Sequence, residues 1–128
     1  MKQRPNERNR GASARALKKV RNLCLALPET SERDSWGHPN FVAGKKTFVT
    51  FEFVDLRPSI AFRMDSLDVI EMARDERFFA TPYGRGQWVS LWADAKLDWR
   101  FISDLVRRSY RLVALRRMLE KLSDEPTA

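Results

Sequence analysis

Apolar residues recur along this chain in two rhythms, and the change between them marks where helix gives way to sheet. After Ser13, a residue type that caps helix starts, Leu17, Val20, Cys24 and Leu27 recur on one stripe at helical spacing. Pro28 ends the stripe, since proline has no N–H for the helical ladder. Beyond it the period shortens to two. Residues 31–37 predict a short extended segment, followed by a His38-Pro39 bend. Phe41-Val42, a turn over residues 43–46 and residues 47–54 predict a β-hairpin. In its second arm Phe48, Thr50, Glu52 and Val54 alternate with Val49, Phe51 and Phe53. Pro58 opens a further strand over residues 59–64, with Ile60 and Phe62 facing inward.

Helical spacing then returns. Asp65 offers an N-cap, with Asp68 three residues on, for a short helix to about Arg74. Thr81-Pro82-Tyr83-Gly84-Arg85-Gly86 is punctuated as a loop, and residues 87–93 alternate as a last strand carrying Trp88 and Leu91. Asp98 opens a long final helix to about Leu122, whose predicted buried stripe is Phe101, Leu105, Leu112, Leu115 and Leu119. This order predicts one α+β domain, an antiparallel sheet with helices packed on one face, between an N-terminal helix and a long C-terminal helix. Residues 1–12 are polar and Arg- and Asn-rich and predict a flexible basic arm; residues 13–122 form the domain and residues 123–128 a polar tail.

The length of 128 residues and the 43% apolar share suit a single core. No apolar run approaches the ~18–20 residues that cross a bilayer. Residues 1–21 lack the apolar stretch of a secretory signal. Cys24 is the lone cysteine, so no internal disulfide forms, and the reading is a cytoplasmic protein with no membrane partner. The net charge of +7 is unevenly placed. Residues 1–21 hold eight basic groups and one acidic group, and the other 107 residues balance.

Catalytic chemistry finds little to work with. His38, the single histidine, reads as a turn residue, and Cys24 lies on an apolar stripe as a buried thiol. Asp65 with Asp68 is explained by capping, and Asp75 with Glu76 by a solvated helix end. Gly84-x-Gly86 lacks the Lys and Ser/Thr of a phosphate loop, and a strand follows it. No ligand spacing suggests a metal. The expectation is a non-enzymatic protein without cofactors.

The runs Leu27-Pro28-Glu29-Thr30, Trp36-Gly37-His38-Pro39-Asn40-Phe41 and Gly44-Lys45-Lys46-Thr47-Phe48 resemble the opening of MmcQ/YjbR-like proteins. Thr81-Pro82-Tyr83-Gly84-Arg85-Gly86-Gln87-Trp88-Val89 and the helix with Ser109-Tyr110 resemble that family's second half, so the likeness spans roughly residues 13–122 in order. The resemblance implies a CyaY-like α+β sandwich and DNA binding. It does not bring frataxin's iron chemistry: the first helix here carries Arg15, Lys18, Lys19 and Arg21 instead of an acidic ridge. Gly84-Arg85-Gly86-Gln87 also departs from members that place a His and Lys pair before the late Trp.

Basic residues supply the candidates for that role. Residues 98–122 hold seven basic and three acidic groups. Arg107 and Arg111 lie four apart with like charge, an arrangement that an anion between them would relieve. Lys45 and Lys46 at the hairpin tip, and Arg85 beside Trp88, stand where a wing would touch phosphate. The bland reading of these cations is a solvated face that pairs with residues 22–97, which hold nine basic and eleven acidic groups. DNA binding therefore requires the N-terminal arm, Lys45, Lys46, Arg85, Arg107 and Arg111 to converge on one surface. The alternative is a protein or small-molecule partner held in a groove of Trp36, His38, Tyr83 and Trp88. Nothing in the sequence sets an oligomeric state.

Overall fold

In the computed structural model, which describes residues 7–122, three two-residue turns set the register of most of the sheet. Trp36-Gly37 joins β1 (Thr30–Ser35) to β2 (His38–Ala43), and Asp55-Leu56 joins β3 (Lys46–Val54) to β4 (Arg57–Arg63). Both residues of each pair have positive φ: 58° and 79° in the first turn, 50° and 65° in the second. Two positive φ values match a turn to the right-handed twist of its strands. Trp36, Asp55 and Leu56 adopt them without being glycine, at a cost of roughly 1 kcal/mol each. Between β2 and β3, Gly44 (φ 62°) opens the Gly44-Lys45 turn.

β5 (Phe78–Ala80) and β6 (Trp88–Trp92) complete a six-stranded sheet in the order β1-β2-β3-β4-β6-β5, antiparallel throughout. Four helices accompany it among the described residues: α1 (Glu7–Leu25), α2 (Ser66–Met72), α3 (Trp99–Val113) and α4 (Arg116–Glu120). Because strand side chains alternate, the register separates two faces. Phe41, Val49, Phe51, Ile60, Phe62, Val89 and Leu91 share the face on which α1 and α3 pack, and all are buried. The opposite face, with Thr50, Glu52, Ser59, Ala61, Trp88, Ser90 and Trp92, carries no helix among the described residues. An α+β sheet with helices on one face is thus the observed architecture.

One irregularity strengthens the core. Phe41 pairs with Val49 and Val42 with Thr47, so Phe48 is an extra residue in β3. Its ring stands edge-on to Tyr110 of α3, with centroids 5.7 Å apart, and both side chains are fully buried. The Tyr110 hydroxyl donates 2.8 Å to the Pro28 carbonyl, fastening α3 to the link between α1 and β1. Burial raises the Tyr110 hydroxyl above its ordinary pKa.

Several boundaries differ from the sequence reading. Helix α1 begins at Glu7 rather than after Ser13, so Ser13 lies within the helix instead of capping it. Residues 1–6 of the predicted arm, and the tail over residues 123–128, lie outside the described residues. The bend predicted at His38-Pro39 falls at Trp36-Gly37, and His38 and Pro39 belong to β2. β5, only three residues long, was not anticipated.

The long final helix is broken. Ala114 turns to extended backbone (ψ 145°), and α4 follows as a separate helix. The predicted stripe holds at Leu105 and at half-buried Phe101 and fails beyond them. Leu112, Leu115 and Leu119 are exposed, whereas Ile102, Leu105, Val106, Tyr110, Val113 and Met118 are buried. With neither Gly nor Pro at the break, local sequence gives no signal; Met118 of the following helix is buried beside the Gly44 turn. No helix of the described residues is long and apolar enough to cross a membrane.

The clamp predicts unequal costs for its two rings. Phe48→Ala should destabilise the fold by about 3–5 kcal/mol. Tyr110→Phe, which orphans one buried carbonyl, should cost about 1–2 kcal/mol. Urea unfolding monitored by circular dichroism measures both.

Candidate nucleic-acid interface

Antiparallel connectivity sends alternate turns to opposite ends of the sheet. The Gly44-Lys45 turn, the start of β1, the exit of β4 and the β5–β6 loop share one end, which α1 and α3 also reach with their C-termini. Trp36-Gly37, Asp55-Leu56, the exit of β6 and the start of α3 share the other.

Lys45 and Lys46 are exposed at the first end. Their turn is seated from below: the Gly44 N–H donates 3.0 Å to the Glu29 carbonyl, and a Cβ on Gly44 would lie 3.5 Å from Met118 Sδ. The loop over residues 81–87 consists of two successive reverse turns. Gly84 N–H donates to the Thr81 carbonyl and Gln87 N–H to the Gly84 carbonyl, each at 3.0 Å. Tyr83 (64°), Arg85 (53°) and Gly86 (74°) all have positive φ. At Gly84 itself a Cβ would come within 2.8 Å of the Trp88 Cβ and 3.0 Å of the Thr81 carbonyl, so only glycine fits. The result is a tight loop with Tyr83 and Arg85 held out in solvent.

Arg111, in the last turn of α3, is exposed beside a shallow depression of about 270 Å³ shared with Met64, Asp65, Asp68 and Arg108. Other cations here are matched. The Arg108 guanidinium donates 2.8 Å to Asp68 Oδ2. Arg117 Nη2 donates 2.9 Å to Glu29 Oε1, with Lys121 Nζ 3.6 Å from the other oxygen. The Arg117 hydrogen bond holds the Glu29 carboxyl below the usual carboxylate range. Arg63 donates to the Met64 and Gln87 carbonyls at 2.8 and 3.2 Å and braces the loop against β4.

Lys45, Lys46, Arg85 and Arg111 therefore stand at one end, as the nucleic-acid reading requires. Arg107 does not join them. It is only 8% exposed and engaged in an interaction of its own, since the helix face that carries it turns inward. The expected Arg107–Arg111 anion clamp is not formed on the surface. Helix α1 also enters at the Trp36 end, opposite the Lys45–Lys46 tip, with Ser13 and Ala14 beside Gly37.

The expected aromatic groove is not assembled either. Trp36 (95% exposed) and Tyr83 (102%) occupy opposite ends. His38 on β2 and Trp88 on β6 are separated by β3 and β4, about 14 Å at the usual strand spacing. His38 is a strand residue whose Nε2 faces Glu52 Oε2 at 3.5 Å, and its Nδ1 has no partner. Burial pushes the Cys24 thiol up, consistent with a structural residue.

A cluster that sequence reasoning missed lies on the open face, toward the Trp36 end. Phe79 stacks on Trp92 (4.2 Å, 29°), and the Arg57 guanidinium covers Trp92 at 3.8 Å. Arg57 is itself gripped by Asp94 through bonds of 2.7 and 3.0 Å. Cross-strand alternation places Arg57, Trp92 and Phe79 on one face, a signal available only once β5 and the register are known.

The YjbR family model matches residues 25–112. No curated protein matches the sequence. Among solved structures, the fold is similar to that of the Deinococcus radiodurans protein DR2400, which carries a DUF419 domain. The TM-score is 0.70 at 14% identity, covering 88% of this chain and 94% of that one, a likeness of fold.

The Arg57 hydrogen bond also holds the Asp94 carboxyl below its ordinary range. A depressed native pKa gives stability that is present above the unfolded value of about 3.9 and lost as pH falls through the native value. The urea midpoint of the wild type should thus fall more steeply below about pH 4 than that of Asp94→Asn.

Proposed function

The chain belongs to the YjbR family, and we propose that it is a non-enzymatic DNA-binding protein that grips phosphates with the end of the sheet bearing Lys45, Lys46, Arg85 and Arg111. One observation carries this reading: the cations of two separate turns and of the last turn of α3 are exposed together. The carboxylates near them are occupied, Glu29 by Arg117 and Lys121, Asp68 by Arg108, and Asp65 by the α2 cap. At the other end acidic and basic groups are mixed: Asp75 pairs with Arg77 and Asp94 with Arg57, and Arg33, Lys96 and Arg100 stand among Asp34, Asp55, Glu76 and Asp98, which favours presenting the Lys45 end to a polyanion.

The two turns act as short wings, with Tyr83 as an exposed ring beside Arg85. Contacts of this kind position a protein on a duplex and read little sequence, so selectivity is weak. The dipoles of the two long helices do not help, because α1 and α3 bring their carbonyl ends to this region, and the N-terminus of the short α2 is already capped by Asp65. Affinity rests on side-chain charge. His38 faces a carboxylate rather than a nucleophile and Cys24 is buried, which supports a binding role over a catalytic one.

Fluorescence anisotropy with a short duplex tests the proposal across a salt series. Four phosphate contacts give a log–log salt slope of roughly −3.5, and Lys45→Ala with Lys46→Ala should flatten it by about 2. Lys96→Ala, at the opposite end, should leave the slope unchanged. Undetectable binding at low salt, or a slope insensitive to Lys45 and Lys46, would remove the reading.

A further inference from the structure

We propose that the outer face of α1 is a second duplex-binding surface, so that one molecule bridges two DNA segments, one at the Lys45 end and one across Arg15, Lys18 and Lys19. The α1 contact stands on its own observations; the bridging role rests also on the DNA reading of the Lys45 end. Charge along the chain is the first observation. Residues 8–28 hold six basic groups and no acidic one, the longest acid-free stretch in the sequence. Within it Arg15, Lys18, Lys19 and Asn22 fall on one side of α1 by helical spacing, and all four are exposed. Ala16, Val20 and Cys24, on the opposite side, are buried in the core, so packing fixes which face turns outward.

The second observation is that these charges are not neutralised. Arg21, Arg57, Arg77, Arg108 and Arg117 each hold a carboxylate at 2.6–2.9 Å. Arg15, Lys18 and Lys19 form no ion pair among the described residues. Like charges three and four residues apart repel along a helix, a cost that an anion lying across them removes. The third is placement. Lys19 Nζ sits 5.1 Å from the centre of the Trp99 ring of α3, which holds the ammonium in position at the surface.

Charge complementarity selects the occupant. Between Arg15 and Asn22 this face carries no large apolar side chain, whereas a protein partner needs an apolar centre and a lipid surface needs rings or leucines to insert. A phosphate backbone needs charge alone. A duplex carries one phosphate per ~1.7 Å of its axis, so cations spread over about 6 Å of α1 each find one. That duplex is not the one at the Lys45 end. Arg15 stands about 15 Å back from the end of α1 that reaches the Lys45 turn. The outer face of α1 looks away from the sheet plane, while the turns project along the strands. DNA stays straight over ~150 base pairs and does not fold around that corner.

Capture of a fluorescent duplex by a second duplex fixed to beads, with the full chain between them at low salt, tests the proposal. The wild type should retain the label and release it as salt rises. Arg15→Ala with Lys18→Ala and Lys19→Ala, all at exposed helix positions, should lower capture about tenfold. Circular dichroism should not change, and single-duplex anisotropy should keep its dependence on Lys45 and Lys46. Lys18→Arg with Lys19→Arg, which keeps the charge, should retain capture. Capture that survives the triple alanine variant overturns the proposal, since copies joined to one another then do the bridging. So does loss of capture in the charge-keeping variant, or a wild type that prefers phosphatidylserine vesicles to duplex DNA. A wild type that binds one duplex through Lys45 and Lys46 but captures no second removes the α1 surface alone. Binding that depends on Arg15, Lys18 and Lys19 but not on Lys45 and Lys46 overturns bridging together with the Lys45-end reading.

Discussion

A one-residue slip in any of the three tight turns would carry every side chain of the adjoining strand to the other face of the sheet. Register is the constraint on which the rest of this molecule depends. It puts Phe51, Ile60, Phe62, Val89 and Leu91 against α1 and α3 and leaves Glu52, Trp88 and Trp92 facing outward. The turns that enforce it adopt left-handed backbone at Trp36, Asp55 and Leu56, conformations these residues disfavour. Short loops leave no slack for an alternative pairing, and the buried aromatic face makes each alternative costly. The extra residue in β3 extends this logic, since it supplies the ring on which Tyr110 rests.

Much of the architecture was legible in the chain. Period-two alternation located β3 and β4, the Asp65 and Asp98 caps located the starts of α2 and α3, and the Gly44-Lys45 turn fell where its glycine placed it. What escaped had no local signal. Trp and Leu are poor markers of left-handed turns, so the Trp36-Gly37 bend was displaced by two residues onto a more conspicuous proline. β5 is too short to show a period. The break at Ala114 accompanies the burial of Met118, and the apolar stripe of α3 keeps Leu105 but takes Ile102, Val106, Tyr110 and Val113 in place of Leu112.

The candidate site was legible by residue type more than by arrangement. Charge and turn propensity singled out Lys45, Lys46 and Arg85, which the antiparallel connectivity brings to one end. The same reasoning misjudged Arg107, because a basic residue on an amphipathic helix is assumed to face water, and this one is buried. Pairing was invisible for a similar reason. Whether Arg108, Arg117 or Lys121 is engaged depends on Asp68 and Glu29, which are remote in sequence. The aromatic grouping failed on topology: four rings that look related along the chain are distributed over two ends and across two intervening strands.

Grouping the exposed Lys45, Lys46, Arg85 and Arg111 at one end of a short sheet, while acids and bases mix at the other, gives the molecule an electric axis as well as a structural one. A body of this kind feels a torque in the field of a polyanion before it makes contact, and turns its lysine-bearing turns forward during diffusion. On the proposed DNA-binding reading, capture depends less on chance orientation, so the charge pattern acts chiefly on how fast encounters succeed, and dissolved salt slows that approach.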